Sequence, residues 1–168
     1  LPLGSSGSFA LIGAAAETPR FQGAGSSQVN AWKVDTVADA LRARLGEDAE
    51  VQYAPGYDLK TGDSSPELLA DAATAASAAD VAVLVLAIPS GTEAEGVDRN
   101  DLTLPPGFAS LVSVVVAANP RTVVVLVNGA PVEIPWAERP AALVEAYLGG
   151  QASGGAIVDV LFGDAEPG

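Results

Sequence analysis

The chain has 168 residues, 49% of them hydrophobic and 17% charged, a composition that excludes a disordered polar segment and suits one globular domain. Its 21 acidic and 8 basic residues give a net charge of −13, which repels phosphate and makes nucleic acid and anionic membranes poor partners. Histidine and cysteine are absent, which excludes histidine-based triads, histidine-bound zinc and disulfides from this chain.

The first predicted element is a buried strand at residues 8–12, a short apolar run closed by glycine. Residues 14–31 follow as a long loop, since their proline, glycine and serine content disfavours regular structure. We then expect a helix capped by Asp35, because apolar residues recur on one face behind it until Gly46 stops it. Residues 51–54 predict the second strand.

Ser65 and Pro66 open the next predicted helix, with proline at the first helical position, where its missing N–H has no cost. The strand predicted at residues 81–88 shows no polar alternation, and such continuous Val/Leu runs are typical of parallel strands covered on both faces. The segment between Pro105 and Asn119 contains enough β-branched residues to form a strand. Its length and the prolines at both ends favour a buried helix.

Residues 122–127 predict another strand buried on both faces, residues 142–148 a shorter one, and residues 153–162 a closing helix. Strands that alternate with helices imply right-handed crossovers. The predicted fold is therefore a single α/β domain, a three-layer α/β/α sandwich around a mostly parallel sheet. In such sheets ligands bind beyond the carboxyl ends of the strands, where the long loops after Ile12 and Ile88 begin.

The glycine-rich segment 20–27 in the first loop is a candidate binding segment. It is not a dinucleotide fingerprint, because Gln28 stands where the third glycine belongs and no strand runs straight into a helix here. A surface turn explains the segment without any function. Its arginine, amide and hydroxyl donors on a flexible backbone also suit the hydroxyl groups of a sugar, so both interpretations stay open.

The loop after the third predicted strand carries four ionisable side chains within residues 89–99. A solvated acidic loop explains this cluster as well as a functional one does. The functional interpretation is a carboxyl group at the mouth of a cleft, which protonates a departing oxygen if burial raises its pKa. Gly96 would then allow a backbone conformation that sets the angle of the neighbouring Glu95.

Six motifs occur in a fixed order along the chain: ALIG at 10–13, RFQGAGSS at 20–27, YAPGY at 53–57, EGVDR at 95–99 with LP at 104–105, NGAPV at 128–132, and GQ at 150–151 through GG at 154–155 to DVLFGD at 159–164. Together they resemble the C-terminal α/β sandwich domain of family 3 glycoside hydrolases, the β-glucosidase-like enzymes. The resemblance covers nearly the whole chain. Its departures are small, with Ala24 where glycine is common and Ala14 where proline is common.

The resemblance implies one domain, residues 1–168, of an exo-acting, retaining β-glucosidase. The nucleophilic aspartate would lie on a separate (β/α)₈ barrel domain that is absent from this chain, while this domain supplies the acid/base carboxyl. The glutamate of the family's Glu-Gly-x-Asp-Arg pattern matches Glu95. Glu93 is the second candidate, because this assignment varies between branches of the family. The chain alone is therefore expected to be inactive.

The resemblance also implies where a β-glucoside or a short oligosaccharide would bind. The residues expected to border the sugar are Arg20, Gln22, Ser26, Ser27, Asp98 and Arg99. The expected protein partner is the barrel domain of the same parent protein. No metal ion and no cofactor are expected, and no apolar run reaches the roughly 20 residues that span a bilayer.

Two alternative functions stay open: a non-catalytic carbohydrate-binding or scaffolding domain, and a nucleotide-binding flavodoxin-like domain. Methionine is absent and the first residue is Leu1, so we expect a piece of a longer protein. We call residues 93–99 the acidic loop. In the longer protein this loop would contribute to an active site whose other residues lie elsewhere. With Ala94 and Val97 as its few apolar anchors, we expect the acidic loop to be mobile in this chain.

Overall fold

The computed structural model describes residues 1–46 and 49–167, and these residues form five strands and four α-helices. The strands are β1 (Phe9–Ile12), β2 (Val51–Ala54), β3 (Val81–Ala87), β4 (Thr122–Val127) and β5 (Ala142–Glu145). The helices are α1 (Val37–Leu45), α2 (Pro66–Ala78), α3 (Pro106–Ala118) and α4 (Ser153–Phe162). Two short 3₁₀ turns lie at Ala14–Ala16 and Gly25–Ser27.

The strands form one sheet in the order β2-β1-β3-β4-β5, and each neighbouring pair is parallel. β3 lies at the centre, with Val83 paired to Leu11 on one side and to Val123 on the other. Every residue of β3 and β4 is buried, which confirms the prediction that these Val/Leu runs are covered on both faces.

The helices form the two outer layers, with α1 packed beside α4 and α2 packed beside α3. Phe9 of β1 lies 6.1 Å from Phe162 of α4, centroid to centroid. Phe108 of α3 makes an edge contact of 4.9 Å with Tyr57, which follows β2. The three-layer α/β/α sandwich is thus confirmed, and so is the helix predicted between Pro105 and Asn119.

Four predicted boundaries were wrong in detail. β1 begins at Phe9 and not at residue 8, and β3 ends at Ala87 and not at residue 88. α1 is capped by Thr36, whose hydroxyl oxygen accepts the Asp39 N–H at 2.9 Å, whereas the Asp35 carboxylate pairs with Lys33 at 3.1 Å. The last strand ends at Glu145 and does not continue to residue 148. Tyr147 has a φ of +51°, a left-handed conformation that ends an extended strand.

The Tyr57 hydroxyl makes hydrogen bonds to the backbone of β3 beyond the point where β1 ends. β1 ends opposite Leu84, but β3 continues to Ala87, so backbone groups of β3 lose their neighbour. The buried hydroxyl donates to the Val85 carbonyl at 3.2 Å and accepts the N–H groups of Ala87 at 3.0 Å and Ala15 at 3.3 Å. It thereby satisfies polar groups that would otherwise be orphaned in the core.

This strand order creates a crevice between β1 and β3. The chain leaves β1 toward β2 on one side and leaves β3 toward β4 on the other, so the two connecting loops diverge at the carboxyl ends of these strands. Open α/β sheets bind ligands at such a switch point. Among the described residues, no helix is long and apolar enough to cross a membrane.

Candidate functional site

An open cleft of about 700 Å³ lies beyond the carboxyl ends of the strands, as the sequence predicted for the ligand site. Four segments line it: the loop after β1, the acidic loop after β3, residues 129–131 after β4, and Leu148 after β5. Its polar lining includes Arg20, Ser27, Glu95 and Asp98. The topology thus brings together residues that lie far apart in the sequence.

Glu93 lies at the base of this cleft and contacts three different segments. Its Oε2 atom lies 2.9 Å from Nη1 of Arg20 and accepts the Gly129 N–H at 2.9 Å. Its Oε1 atom accepts from Nη1 of Arg99 at 3.2 Å. The Glu93 side chain is only 10% exposed, so these bonds replace nearly all of its hydration.

The environment of Glu93 favours its charged form. Burial opposes ionisation, but the Gly129 N–H and the Arg20 and Arg99 guanidinium groups outweigh it and hold the pKa of Glu93 below its usual value. A carboxyl group in this state accepts hydrogen bonds and does not donate a proton near neutral pH. Its surroundings are those of an electrostatic anchor.

The two arginines are engaged with the protein. Arg20 is 6% exposed, and Nη1 also donates to the Ile88 carbonyl at 3.1 Å. Arg99 is 13% exposed, and its guanidinium also donates to the carbonyls of Thr103 at 2.7 Å and Pro131 at 3.4 Å. Both were expected to border the sugar, and both form an ion pair with Glu93.

Glu95 occupies the exposed tip of a tight turn over residues 94–97. The Val97 N–H donates to the Ala94 carbonyl at 3.1 Å, and Gly96 has a φ of +74°. A turn of this kind requires positive φ at its third residue, which glycine adopts without strain. The prediction that Gly96 sets the angle of Glu95 therefore has a structural basis in this turn.

The Glu95 carboxylate faces the 3₁₀ turn of the first loop. Its Oε2 atom accepts the Ser26 backbone N–H at 3.0 Å and also the Ser26 hydroxyl. These two bonds from Ser26 lower the pKa of Glu95 in this domain. The approach is close, because a Cβ atom on Gly25 would lie 2.9 Å from the Cβ of Glu95.

The remaining predicted binding residues fall into two groups. Gln22 braces its own loop, since its amide donates to the Val29 carbonyl at 3.3 Å and accepts the Val29 N–H at 3.0 Å. Ser27 and Asp98 are exposed and line the cleft. Ser27 donates locally to the Ala24 carbonyl at 3.3 Å.

The acidic loop is anchored by ion pairs that its apolar residues do not indicate. Glu93 at one end and Arg99 at the other are bonded to each other and to neighbouring segments. A charged pair six residues apart in a loop gives no local signal that distinguishes it from two solvated side chains. Mobility of the acidic loop, residues 93–99, stays a prediction.

Two further polar residues at the carboxyl ends of the strands were not predicted. Glu145, the last residue of β5, accepts the Tyr147 N–H at 3.1 Å. Burial raises its pKa, and the negative charge of Glu93 acts in the same direction. Asn128, the first residue after β4, is 3% exposed and donates to the Ala130 carbonyl at 3.0 Å. Both residues stand at the carboxyl end of a strand, and this position is the sequence signal that indicates them.

The segment after β1 does not have the form of a phosphate-binding loop. It enters a 3₁₀ turn at Ala14–Ala16 and reaches the first α-helix only at Val37, so no α-helix N-terminus follows the strand directly. Within residues 1–46 and 49–167, no group of three or more acidic side chains is arranged to hold a metal ion.

The chain is similar to known proteins along its whole length. A family model described as the glycosyl hydrolase family 3 C-terminal domain matches residues 1–168. Thermostable β-glucosidase B of Acetivibrio thermocellus is 42% identical over 167 residues, which are 99% of this chain and 22% of that protein. The exo-α-(1→6)-L-arabinopyranosidase of Bifidobacterium longum is 38% identical over 159 residues, 94% of this chain and 21% of that protein.

Solved structures agree with this relationship. The crystal structure of a GH3 β-glucosidase from Bifidobacterium adolescentis superposes with a TM-score of 0.90 at 38% identity, covering 98% of this chain and 24% of that one. A GH3 exo-β-xylosidase bound to a xylobiose-derived probe gives a TM-score of 0.82 at 28% identity and covers 98% of this chain and 21% of that one. The chain spans between a fifth and a quarter of the length of these relatives.

Proposed function

The chain belongs to glycosyl hydrolase family 3, whose C-terminal domain it forms, and on that premise we propose that it is one part of a retaining, exo-acting β-glucosidase. In this role the domain supplies the acid/base carboxyl and part of the sugar pocket. The nucleophilic aspartate comes from a (β/α)₈ barrel domain of the same parent protein. The observation that carries the proposal is the position of Glu95, at the exposed tip of a turn that lines the open cleft.

Glu95 suits the acid/base role better than Glu93 does. A general acid must reach the departing oxygen and must give up a proton. Glu93 is 10% exposed and is bonded to two arginines and a backbone N–H, so it is not free to turn toward a bound sugar. Glu95 is exposed and is bonded to Ser26 on one side only, so it can turn toward a bound sugar.

Assembly with the barrel would adjust the pKa of Glu95. In this domain the Ser26 bonds lower it, which favours the carboxylate that activates water in the second step. A docked barrel would remove solvent and bring a second carboxylate to about 5 Å, the spacing of retaining enzymes. Desolvation and a like charge both raise a carboxyl pKa, as the first, proton-donating step requires.

Exposed apolar side chains support a barrel partner over the cleft. Those in the loops at this end of the sheet are Val29, Trp32, Val97, Leu102 and Tyr147. Trp32 is 96% exposed, and large apolar groups of this kind are typical of surfaces covered by a partner. The chain is 22% of the length of the A. thermocellus relative, which leaves ample room there for a barrel of roughly 250 residues.

A β-glucoside or a short oligosaccharide is the proposed substrate. Ser27 and Asp98 offer a hydroxyl and a carboxylate to sugar hydroxyls from the wall of the cleft, and Ser26 and Gln22 shape the adjoining loop. Arg20 and Arg99 contribute by holding that wall. The A. thermocellus and B. adolescentis relatives are named as β-glucosidases, which favours glucose as the sugar.

A comparison of two proteins tests this proposal. The full-length protein that contains this domain should hydrolyse an aryl β-glucoside, whereas the purified 168-residue chain should not, because it lacks the nucleophile. Sugar binding by a full-length protein without turnover would favour a non-catalytic carbohydrate-binding domain instead. Turnover by the 168-residue chain alone would contradict the proposed division of carboxylates between domains.

A further inference from the structure

We infer that Glu93 is a positioning residue, which fixes the turn that carries Glu95 by binding Arg20, Arg99 and the Gly129 N–H at once. The inference rests on the proposed acid/base role of Glu95 and assigns a separate role to the second glutamate of the same loop. Glu93 would not touch the sugar or exchange a proton with it. It would act through the backbone between residues 93 and 99.

The acidic loop is closed at its base by an ion pair. Glu93 precedes the turn over residues 94–97 and Arg99 follows it, and their side chains meet at 3.2 Å. Arg99 is held in turn by the Thr103 and Pro131 carbonyls. The two ends of the turn are therefore tied together and to the segment after β4. Glu95 projects from the tip of this turn.

Glu93 also fixes the turn against both walls of the crevice. Through Arg20, at 2.9 Å, it reaches the loop after β1, which also carries Ser26. Through the Gly129 N–H, at 2.9 Å, it reaches the loop after β4. One carboxylate thus sets the separation between the acidic loop and the Ser26 segment, and that separation sets where Glu95 lies.

The charge of Glu93, and not only its shape, is needed to hold the turn. Arg20 is 6% exposed, and within the described residues its Nε has no hydrogen-bond partner. Glu93 is the carboxylate that lies within 4 Å of this guanidinium in the described part of the chain. A neutral side chain of the same shape would leave a buried cation uncompensated, which a protein relieves by moving the groups around it.

Charge and shape can be separated by two substitutions. Glu93→Gln keeps the size of the side chain and removes its charge, whereas Glu93→Asp keeps the charge and shortens the reach. If electrostatic anchoring positions the turn, the aspartate variant should retain more activity than the glutamine variant. If packing alone matters, the order should reverse.

The experiment uses the full-length protein with Glu93→Gln, Glu93→Asp, Glu95→Gln and, as a matched control, Glu138→Gln at an exposed site away from the cleft. We expect Glu93→Gln to lower kcat by about 10²-fold for substrates with poor leaving groups, as a misplacement of about 1 Å does. Glu93→Asp should recover part of this loss. Azide should accelerate Glu95→Gln but not Glu93→Gln, because Glu95 is still present to activate water.

Hydrogen–deuterium exchange of residues 94–98 gives a readout that is independent of activity. It should be faster in Glu93→Gln than in wild type and unchanged in Glu138→Gln. Arg99→Gln, which breaks the same ion pair from the other side, should show the same loosening and serves as the second variant should Glu93→Gln fold poorly. Wild-type exchange and wild-type kinetics in both would overturn the inference.

Other outcomes separate this inference from the proposed function. Azide rescue of Glu93→Gln would overturn it by making Glu93 the acid/base itself. A glutamine variant more active than the aspartate variant would overturn the argument from charge. Wild-type kinetics of Glu95→Gln would remove the proposed acid/base role, while exchange at residues 94–98 would still decide whether Glu93 holds the turn.

Discussion

Arg20 and Glu93 form a buried ion pair, with 2.9 Å between Nη1 and Oε2, that joins the loop after β1 to the loop after β3. The two strands are neighbours in the sheet at the point where the strand order reverses. The pair therefore spans the crevice in which α/β sheets bind ligands.

Breaking this pair from one side should destabilise the 168-residue chain strongly. Glu93→Gln should lower the free energy of unfolding by about 3 kcal/mol, because a buried guanidinium loses its counterion. In the double variant Arg20→Gln/Glu93→Gln the buried Arg20 cation is removed together with its counterion and only Arg99 loses its ion pair, so the loss should be smaller than the sum of the two single losses. Urea unfolding of the four proteins measures the coupling, and strict additivity would show that the pair does not act as a unit.

The same pair should make stability depend on acidity. The pKa of Glu93 is lowered on folding from its usual 4.5, so its contribution is fully present above that value and is lost as pH falls through the lower, folded pKa. The stability gap between wild type and Glu93→Gln should thus be constant near neutral pH and shrink under acidic conditions. Urea unfolding from pH 7 downward measures it, with Glu138→Gln as control. A gap that widens on acidification would contradict this assignment.

The Tyr57 hydroxyl should contribute to stability through the three backbone groups that it serves. Tyr57→Phe leaves the Val85 carbonyl and the Ala15 and Ala87 N–H groups without this partner, and an unsatisfied buried group costs about 1–3 kcal/mol. Tyr53→Phe, a substitution of the same kind at a half-buried site, should cost less. Equal effects of the two substitutions in thermal unfolding would argue against the structural role of Tyr57.

The titration of Tyr57 should differ from that of an exposed tyrosine. Burial raises its pKa to about 12, since the phenolate would lose its hydration, although the N–H groups of Ala87 and Ala15 partly offset this. Absorbance at alkaline pH should therefore show one tyrosine that ionises well above pH 10 in the folded chain. That late component should disappear in Tyr57→Phe, and its persistence would assign it to another residue.

The fold was predictable because its signals are local. Continuous Val/Leu runs at β3 and β4 indicate strands buried on both faces, and Ser65 with Pro66 marks the start of α2, where the Ser65 hydroxyl accepts the Leu68 N–H at 3.3 Å. The cap of α1 was misassigned by one residue. Asp35 and Thr36 are adjacent and both suit the position, so the sequence alone does not separate them.

The site was less predictable because its contacts are not local. The candidate residues were found through motifs, but the partners of Glu93 come from three segments that only the strand order brings together. A glutamate that anchors two arginines and a glutamate that faces solvent two positions later are indistinguishable by residue type. The two glutamates differ in burial, and the burial of a residue is determined by the assembled fold.

The role of Glu95 is the central claim, and azide rescue in the full-length protein tests it most directly. Glu95→Gln should slow turnover of substrates with poor leaving groups by about 10²–10⁴-fold, the usual contribution of a general acid. Activated aryl glucosides should still form the glycosyl-enzyme, whose hydrolysis then lags because no carboxylate activates water. Azide should restore turnover and yield a β-glycosyl azide. If Glu95→Gln keeps wild-type rates, or if azide has no effect on it, Glu95 is not the acid/base.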